Sequence, residues 1–207
     1  MSNAVKYYLG GYNLIAFIFW TAYLFAFITG GFVLNHPALI LLNIAQGLAI
    51  LEVIHALLKW VKSPVLSTLA QVASRLLVVV FINVFVMNGF NTTGLSVGIM
   101  IVSFAWSITE LVRYSLYFLS LFDVQPAWLL WMRYSFFIVL YPVGVTGEWL
   151  IFLAPILANG FSFTVEPGVL PVYYGYRVLV LVLFISYAYY FPVLYGYMWK
   201  QRKAKLN

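Results

Sequence analysis

The chain has 207 residues, of which 65% are hydrophobic, 20% aromatic and only 8% charged, and its mean hydropathy is +1.00. A soluble domain carries about 25% charged residues, so a water-facing globular surface is excluded, as is intrinsic disorder, which needs the opposite bias. With no cysteine and only His36 and His55 as histidines, disulfides, zinc–thiolate sites, cysteine nucleophiles and the histidine-rich boxes of membrane di-iron enzymes are excluded too, and no metal or cofactor is expected.

A membrane-crossing helix takes roughly 20 apolar residues, and six runs meet that requirement. In chain order they cover about 10–33, 38–58, 67–90, 95–121, 128–157 and 174–199. The breaks fall at Asn35-His36-Pro37, Lys62-Ser63-Pro64, Asn88-Gly89, Asp123 to Pro126, and Glu166-Pro167-Gly168 to Pro171, all turn-forming stretches. The first run is too long for a signal-peptide core and no cleavage pattern follows it, so it reads as a retained span. The expected fold is all-α: one polytopic membrane domain over 1–207, a bundle of six transmembrane helices with short tails.

The net charge of +6 is distributed unevenly. Lys6, Lys59, Lys62, Arg133, Lys200, Arg202, Lys203 and Lys205 fall on one side of the expected topology, whereas the other side has only Arg177, near a boundary. Basic residues are retained on the cytoplasmic side, so both termini are expected in the cytosol, and the charge serves orientation rather than nucleic-acid binding. The final residues, Lys203-Ala204-Lys205-Leu206-Asn207, resemble a dilysine signal for retrieval to the endoplasmic reticulum; the alternative is ordinary tail charge. Asn91-Thr92-Thr93 is a glycosylation sequon in a short lumenal loop, tight against the membrane, and is expected to stay unmodified.

Charges inside spans cost about 2.5–3.5 kcal/mol each on insertion scales, so each needs a reason. Glu52 and His55 are three apart in the second span and Glu110 and Arg113 three apart in the fourth; each pair shares a helix face and reads as self-neutralising. Arg75 has no acidic neighbour in its own span and is expected to reach Glu52, Glu110 or Glu148 across a shared polar interior. In the fifth span Tyr134, Tyr141 and Glu148 recur every seven residues, a spacing that rises about 10.5 Å and keeps them on one helical stripe. Gly144 lies between the last two, and Pro142, Gly144 and Gly147 are costly in a helix unless they provide a kink or a close approach. A phenol and a carboxylate would then flank a patch of bare backbone, a proton donor and a proton acceptor with room between them. The alternative is that Tyr141 is one tyrosine among sixteen and Glu148 merely pairs with an arginine.

Tyr141-Pro-Val-Gly-Val-Thr-Gly-Glu148 resembles the YPxGxxGE signature of the very-long-chain (3R)-3-hydroxyacyl-CoA dehydratases, also called the protein-tyrosine-phosphatase-like family. Leu51-Glu52-Val-Ile-His55, Lys62-Ser-Pro, Gln71-Val-Ala-Ser-Arg75 and Trp106-Ser-Ile-Thr-Glu110-Leu-Val-Arg113-Tyr114 resemble further blocks of that family in the same order, so the likeness runs through nearly the whole chain. It implies a six-span enzyme of the endoplasmic reticulum that removes water from long- and very-long-chain 3-hydroxyacyl-CoA in the third step of fatty-acid elongation, beside other membrane enzymes of that cycle. It implies Tyr141 and Glu148 as the catalytic pair. Phosphocysteine chemistry is impossible without a cysteine.

β-Elimination needs a base for the C2 proton, an acid for the departing hydroxyl and stabilisation of the thioester oxygen. Glu148 is assigned as base and Tyr141 as acid, with the reverse left open, and Gly144 leaves space for substrate. Arg75, Glu110, Arg113 and Tyr114 are candidates for supporting these groups or the oxyanion. Arg133, with Lys59, Lys62 and the basic tail, is a candidate for the CoA phosphates, and the acyl chain belongs in the lipid bilayer. Two other readings are a non-catalytic membrane scaffold of the same fold and a small transporter using Glu52, Arg75, Glu110 and Glu148 as a polar pathway.

Overall fold

The computed structural model describes residues 2–90, 92–158 and 170–206. The helices are α1 (Asn3–Thr29), α2 (His36–Leu48), α3 (Ile50–Leu57), α4 (Val65–Met87), α5 (Thr93–Leu121), α6 (Ala127–Arg133), α7 (Phe137–Ala158) and α8 (Leu170–Leu206). They supply six segments long and apolar enough to cross a membrane, α2 with α3 and α6 with α7 each forming one of them. No strand occurs among the described residues, in agreement with the all-α expectation. Asn91 of the sequon and Glu166 to Gly168 of the last expected break lie outside the described residues.

Local chemistry sets most helix ends. The side chains of Ser2, Asn35 and Thr92 accept from the backbone N–H groups of Val5, Ala38 and Leu95, satisfying donors that a helix start leaves free. Pro64 and Pro126 immediately precede α4 and α6. Asp123, at φ 61°, closes α5 in a left-handed turn, with the Val124 N–H donating to the Leu119 carbonyl at 3.1 Å.

Two spans are not continuous helices. The second tightens at Ala49, whose N–H turns to the Gln46 carbonyl three residues back at 3.1 Å. The fifth departs further from the expected unbroken helix: the chain turns at residues 134–136, between α6 and α7. Arg202 of α8 donates to the Tyr134 carbonyl at 2.8 Å and also to the Ser135 hydroxyl. Tyr134 therefore lies outside the helix that carries Tyr141 and Glu148, because a cation from another helix takes up backbone and side-chain acceptors at the turn.

The bundle is organised around α5. Of its central span 56% is buried inside the protein, against 6% for α8, which leaves α8 at the periphery. Helix α1 lies antiparallel to α5: Gly10 faces Phe118 and Phe122, while the Tyr23 hydroxyl meets the Ser103 hydroxyl at 2.6 Å. Between α2 and α4, Asn43 and Asn83 exchange reciprocal amide hydrogen bonds of 3.0 and 2.8 Å.

Helices α5 and α7 approach most closely at a pair of glycines. A Cβ on Gly147 would stand 2.8 Å from a methyl of Ile101 and 2.9 Å from one of Val102, and a Cβ on Gly98 would stand 2.9 Å from the Gly147 carbonyl oxygen. This is close packing of the small-residue kind by which membrane helices associate. At Gly144 a Cβ would meet only the Ala105 methyl, at 3.6 Å, an ordinary contact.

Polar side chains attach α8 to α7. Pro142 has no N–H to donate, so the Ile138 carbonyl four residues back loses its helical partner; the Tyr195 hydroxyl of α8 donates to it at 3.2 Å. The Tyr176 hydroxyl donates to the Phe152 carbonyl. In a lipid-filled surrounding a freed backbone carbonyl has no water to turn to, so the Tyr195 phenol provides the donor that Pro142 lacks.

Candidate active site

The polar residues inside the spans form two groups. In the first, Arg113 grips Glu52 with both terminal nitrogens at 2.6 Å and reaches Glu110 through Nε at 2.8 Å. Arg75 pairs with the other Glu110 oxygen at 2.5 Å. The Tyr114 and Tyr12 hydroxyls donate to Glu52 Oε1 at 2.5 and 3.2 Å. Two carboxylates thus meet two guanidiniums, and the four charges cancel. Glu110 and Arg113 pair within α5 as their spacing suggests, and Arg75 reaches across from α4 to Glu110. Glu52 departs from expectation: it pairs with Arg113, whereas His55 meets the Tyr8 hydroxyl at 3.1 Å.

The second group centres on Glu148. It is buried, and each carboxylate oxygen accepts one hydrogen bond: Oε1 from the Trp106 indole N–H at 3.1 Å and Oε2 from the Tyr187 hydroxyl at 2.6 Å. Among the described residues it has no arginine or lysine partner within salt-bridge distance, so the simple arginine pairing is not what the structure contains. The two groups adjoin through Arg75, whose guanidinium lies 5.1 Å from the centre of the Trp106 ring.

Tyr141 stands half-buried on the same helix as Glu148. It borders a small cavity with Thr109 and Val112 of α5, Arg133 of α6, Met132, Phe136 and Phe137. The Arg133 guanidinium is the cation beside the Tyr141 phenol. Tyr141 is thus next to Thr109 and Val112, Gly144 opposite Ala105, and Glu148 bonded to Trp106. All three face α5, with the phenol and the carboxyl about 10.5 Å apart in helical rise. A mostly apolar cavity of about 380 Å³ opens between α7 and α8, lined by Trp149, Leu153, Arg177, Val180, Leu181 and Phe184.

Tyr141, Gly144 and Glu148 are therefore brought to one face, with Arg133 beside the first. Arg75 and Glu110 border this site from the ion-pair group, while Arg113 and Tyr114 are gathered around Glu52. Lys203 and Lys205 stand exposed near the end of α8. No group of three or more metal-ligating side chains occurs among the described residues. Sequence reasoning missed the two groups that hold Glu148. Trp106 opens the block that ends in Tyr114, a signal that was present; Tyr187 sits in a tyrosine-rich run with Tyr189 and Tyr190, and nothing in its spacing distinguishes it.

Six spans long and apolar enough to cross a membrane, packed so that a buried carboxyl and a phenol share one helix face, define a polytopic membrane protein. The family model described as protein tyrosine phosphatase-like protein, PTPLA, matches residues 46–207, and the chain belongs to that family. It is 38% identical to the very-long-chain (3R)-3-hydroxyacyl-CoA dehydratase hpo-8 of Caenorhabditis elegans, over 99% of this chain and 96% of that protein. It is 34% identical to the very-long-chain (3R)-3-hydroxyacyl-CoA dehydratase PASTICCINO 2 of Arabidopsis thaliana, over 100% of this chain and 96% of the relative. With the very-long-chain (3R)-3-hydroxyacyl-CoA dehydratase 1 of Mus musculus the identity is 39%, covering 80% of this chain and 59% of the mouse protein. No solved structure matches.

Proposed function

We propose that this protein is a hydro-lyase that converts (3R)-3-hydroxyacyl-CoA to trans-2-enoyl-CoA, with Glu148 as base and Tyr141 as acid. The observation that carries the reading is the state of Glu148: a buried carboxyl held by two neutral donors on the α7 face that also bears Tyr141. An indole N–H can only donate, so Oε1 accepts it, and a second lone pair on that oxygen is left for the C2 proton.

Glu148 removes the C2 proton, and the C–H electron pair becomes the C2–C3 double bond. The C3–O bond breaks, and the departing hydroxyl takes the phenolic proton of Tyr141 and leaves as water. Once the products leave, Glu148 gives up the proton it took and the Tyr141 phenolate takes one up from water, which restores both groups. Arg133, beside Tyr141, stabilises the phenolate formed in between and lies on the side from which the CoA phosphates approach. The acyl chain stays in the hydrocarbon layer. Glu52, Arg75 and Glu110 are committed to ion pairs, which argues against a transport pathway through them.

The same reading places the protein in the endoplasmic reticulum membrane with both termini in the cytosol. There it acts in the third step of very-long-chain fatty-acid elongation beside other membrane enzymes of that cycle, with the exposed Lys203 and Lys205 as its retrieval signal. The test is direct: purified in detergent, the protein should form enoyl-CoA from (3R)-3-hydroxyacyl-CoA, and Tyr141→Phe should lower turnover by about 10²–10⁴-fold, the usual span of acid–base contributions. A wild-type protein without conversion at any chain length, or a fully active Tyr141→Phe, overturns the proposal.

A further inference from the structure

We propose that Tyr187 of α8 is a positioning residue for Glu148: its hydroxyl, with the Trp106 indole, fixes the carboxylate in the orientation needed to take the substrate proton. This inference rests on the reading of Glu148 as the base. Tyr176, Tyr187 and Tyr195 of α8 each donate to α7, the first and last to the backbone carbonyls of Phe152 and Ile138. Those contacts satisfy the helix backbone and need no chemistry to explain them. Tyr187 instead donates to the carboxylate itself, at 2.6 Å.

An ionised carboxyl has about four lone-pair positions on its two oxygens. Trp106 takes one on Oε1 and Tyr187 one on Oε2, which holds the carboxyl plane at both ends and leaves a position on each oxygen for an incoming proton. With only the indole, the group is free to swing about its single contact. The two donors come from helices on different sides, α5 and α8, and each is itself braced. The Trp106 ring lies 5.1 Å from the Arg75 guanidinium, and the Tyr187 ring packs edge-on against Trp149 and Phe152 at 5.6 and 6.3 Å. The base is thus assembled by three helices and is complete only while the peripheral α8 is docked.

The experiment compares Tyr187→Phe, which removes one oxygen and keeps the ring, with wild type in a purified detergent preparation supplied with 3-hydroxypalmitoyl-CoA. Misplacing a reacting group by about 1 Å costs on the order of 10²-fold, so kcat is expected to fall about 10- to 100-fold while KM stays within about twofold. 3-Fluorotyrosine at position 187, which returns the hydroxyl, should restore kcat to within about threefold of wild type. A kcat within twofold of wild type, a change confined to KM, or a loss that fluorotyrosine does not repair would overturn the inference. Glu148→Gln, assayed alongside, separates the two levels: if it remains active, the base assignment and this inference fall together. If it is inactive while Tyr187→Phe turns over normally, only the role of Tyr187 falls.

Discussion

Glu52 and Glu110 lie among guanidiniums; Glu148, in the same bundle, lies between an indole and a phenol. The first arrangement spends every charge on another charge and joins α3, α4 and α5. A buried ion pair of this kind is a weak source of net stability, but removing one member leaves an uncompensated charge behind. Among the described residues the second gives the carboxyl no cation within salt-bridge distance, only two neutral donors. Burial and charge are common to all three carboxyls; the chemistry of the partners is what sets Glu148 apart, and the proposed role as base rests on that difference.

The comparison predicts that damage to the ion-pair group appears as lost stability. Arg113 touches both Glu52 and Glu110, so Arg113→Met should cost about 3–5 kcal/mol. The cost should appear as a large drop in the thermal midpoint of the detergent-solubilised protein, and an unchanged midpoint would show that the pairs are dispensable. A smaller effect separates the two glycines of the signature. Gly147→Ala places a methyl 2.8 Å from Ile101 and should cost about 1–3 kcal/mol, the range for overpacking. Gly144→Ala meets only an ordinary contact at 3.6 Å, so its midpoint should hold, and any loss of turnover reports substrate occupying that space. Equal destabilisation by both would break this distinction. Smallest of all, Tyr195→Phe strands the Ile138 carbonyl that Pro142 leaves free and should lower stability by about 1 kcal/mol with turnover intact; lost turnover would mean that α8 docking through Tyr195 also shapes the site.

Much of this organisation is readable in the chain, for physical reasons that also set the limit. The turn residues at Asn35, Pro64, Asp123 and Pro126 act through their own backbone preferences, so the spans they bound are visible without coordinates. Heptad spacing places Tyr141, Gly144 and Glu148 on one face because that relation lies within a single helix. Relations between helices are different. That Glu52 meets Arg113 and not His55 depends on how α3 is phased after the tightened turn at Ala49 and on its register against α5. The turn at residues 134–136 is tied to Arg202, almost seventy positions away in sequence by the numbering, and helical periodicity carries no trace of it. Tyr187 is hidden for the same reason: its bond to Glu148 is made between helices, and Tyr189 and Tyr190 follow it closely in the chain.

The most direct test pairs two conservative substitutions, Glu148→Gln and Glu110→Gln, each measured for dehydration of (3R)-3-hydroxyacyl-CoA and for thermal unfolding. The account predicts that Glu148→Gln abolishes turnover with little change in midpoint, while Glu110→Gln lowers the midpoint sharply, having left Arg75 without its carboxylate. A Glu148→Gln protein that still forms enoyl-CoA at a near wild-type rate would contradict it.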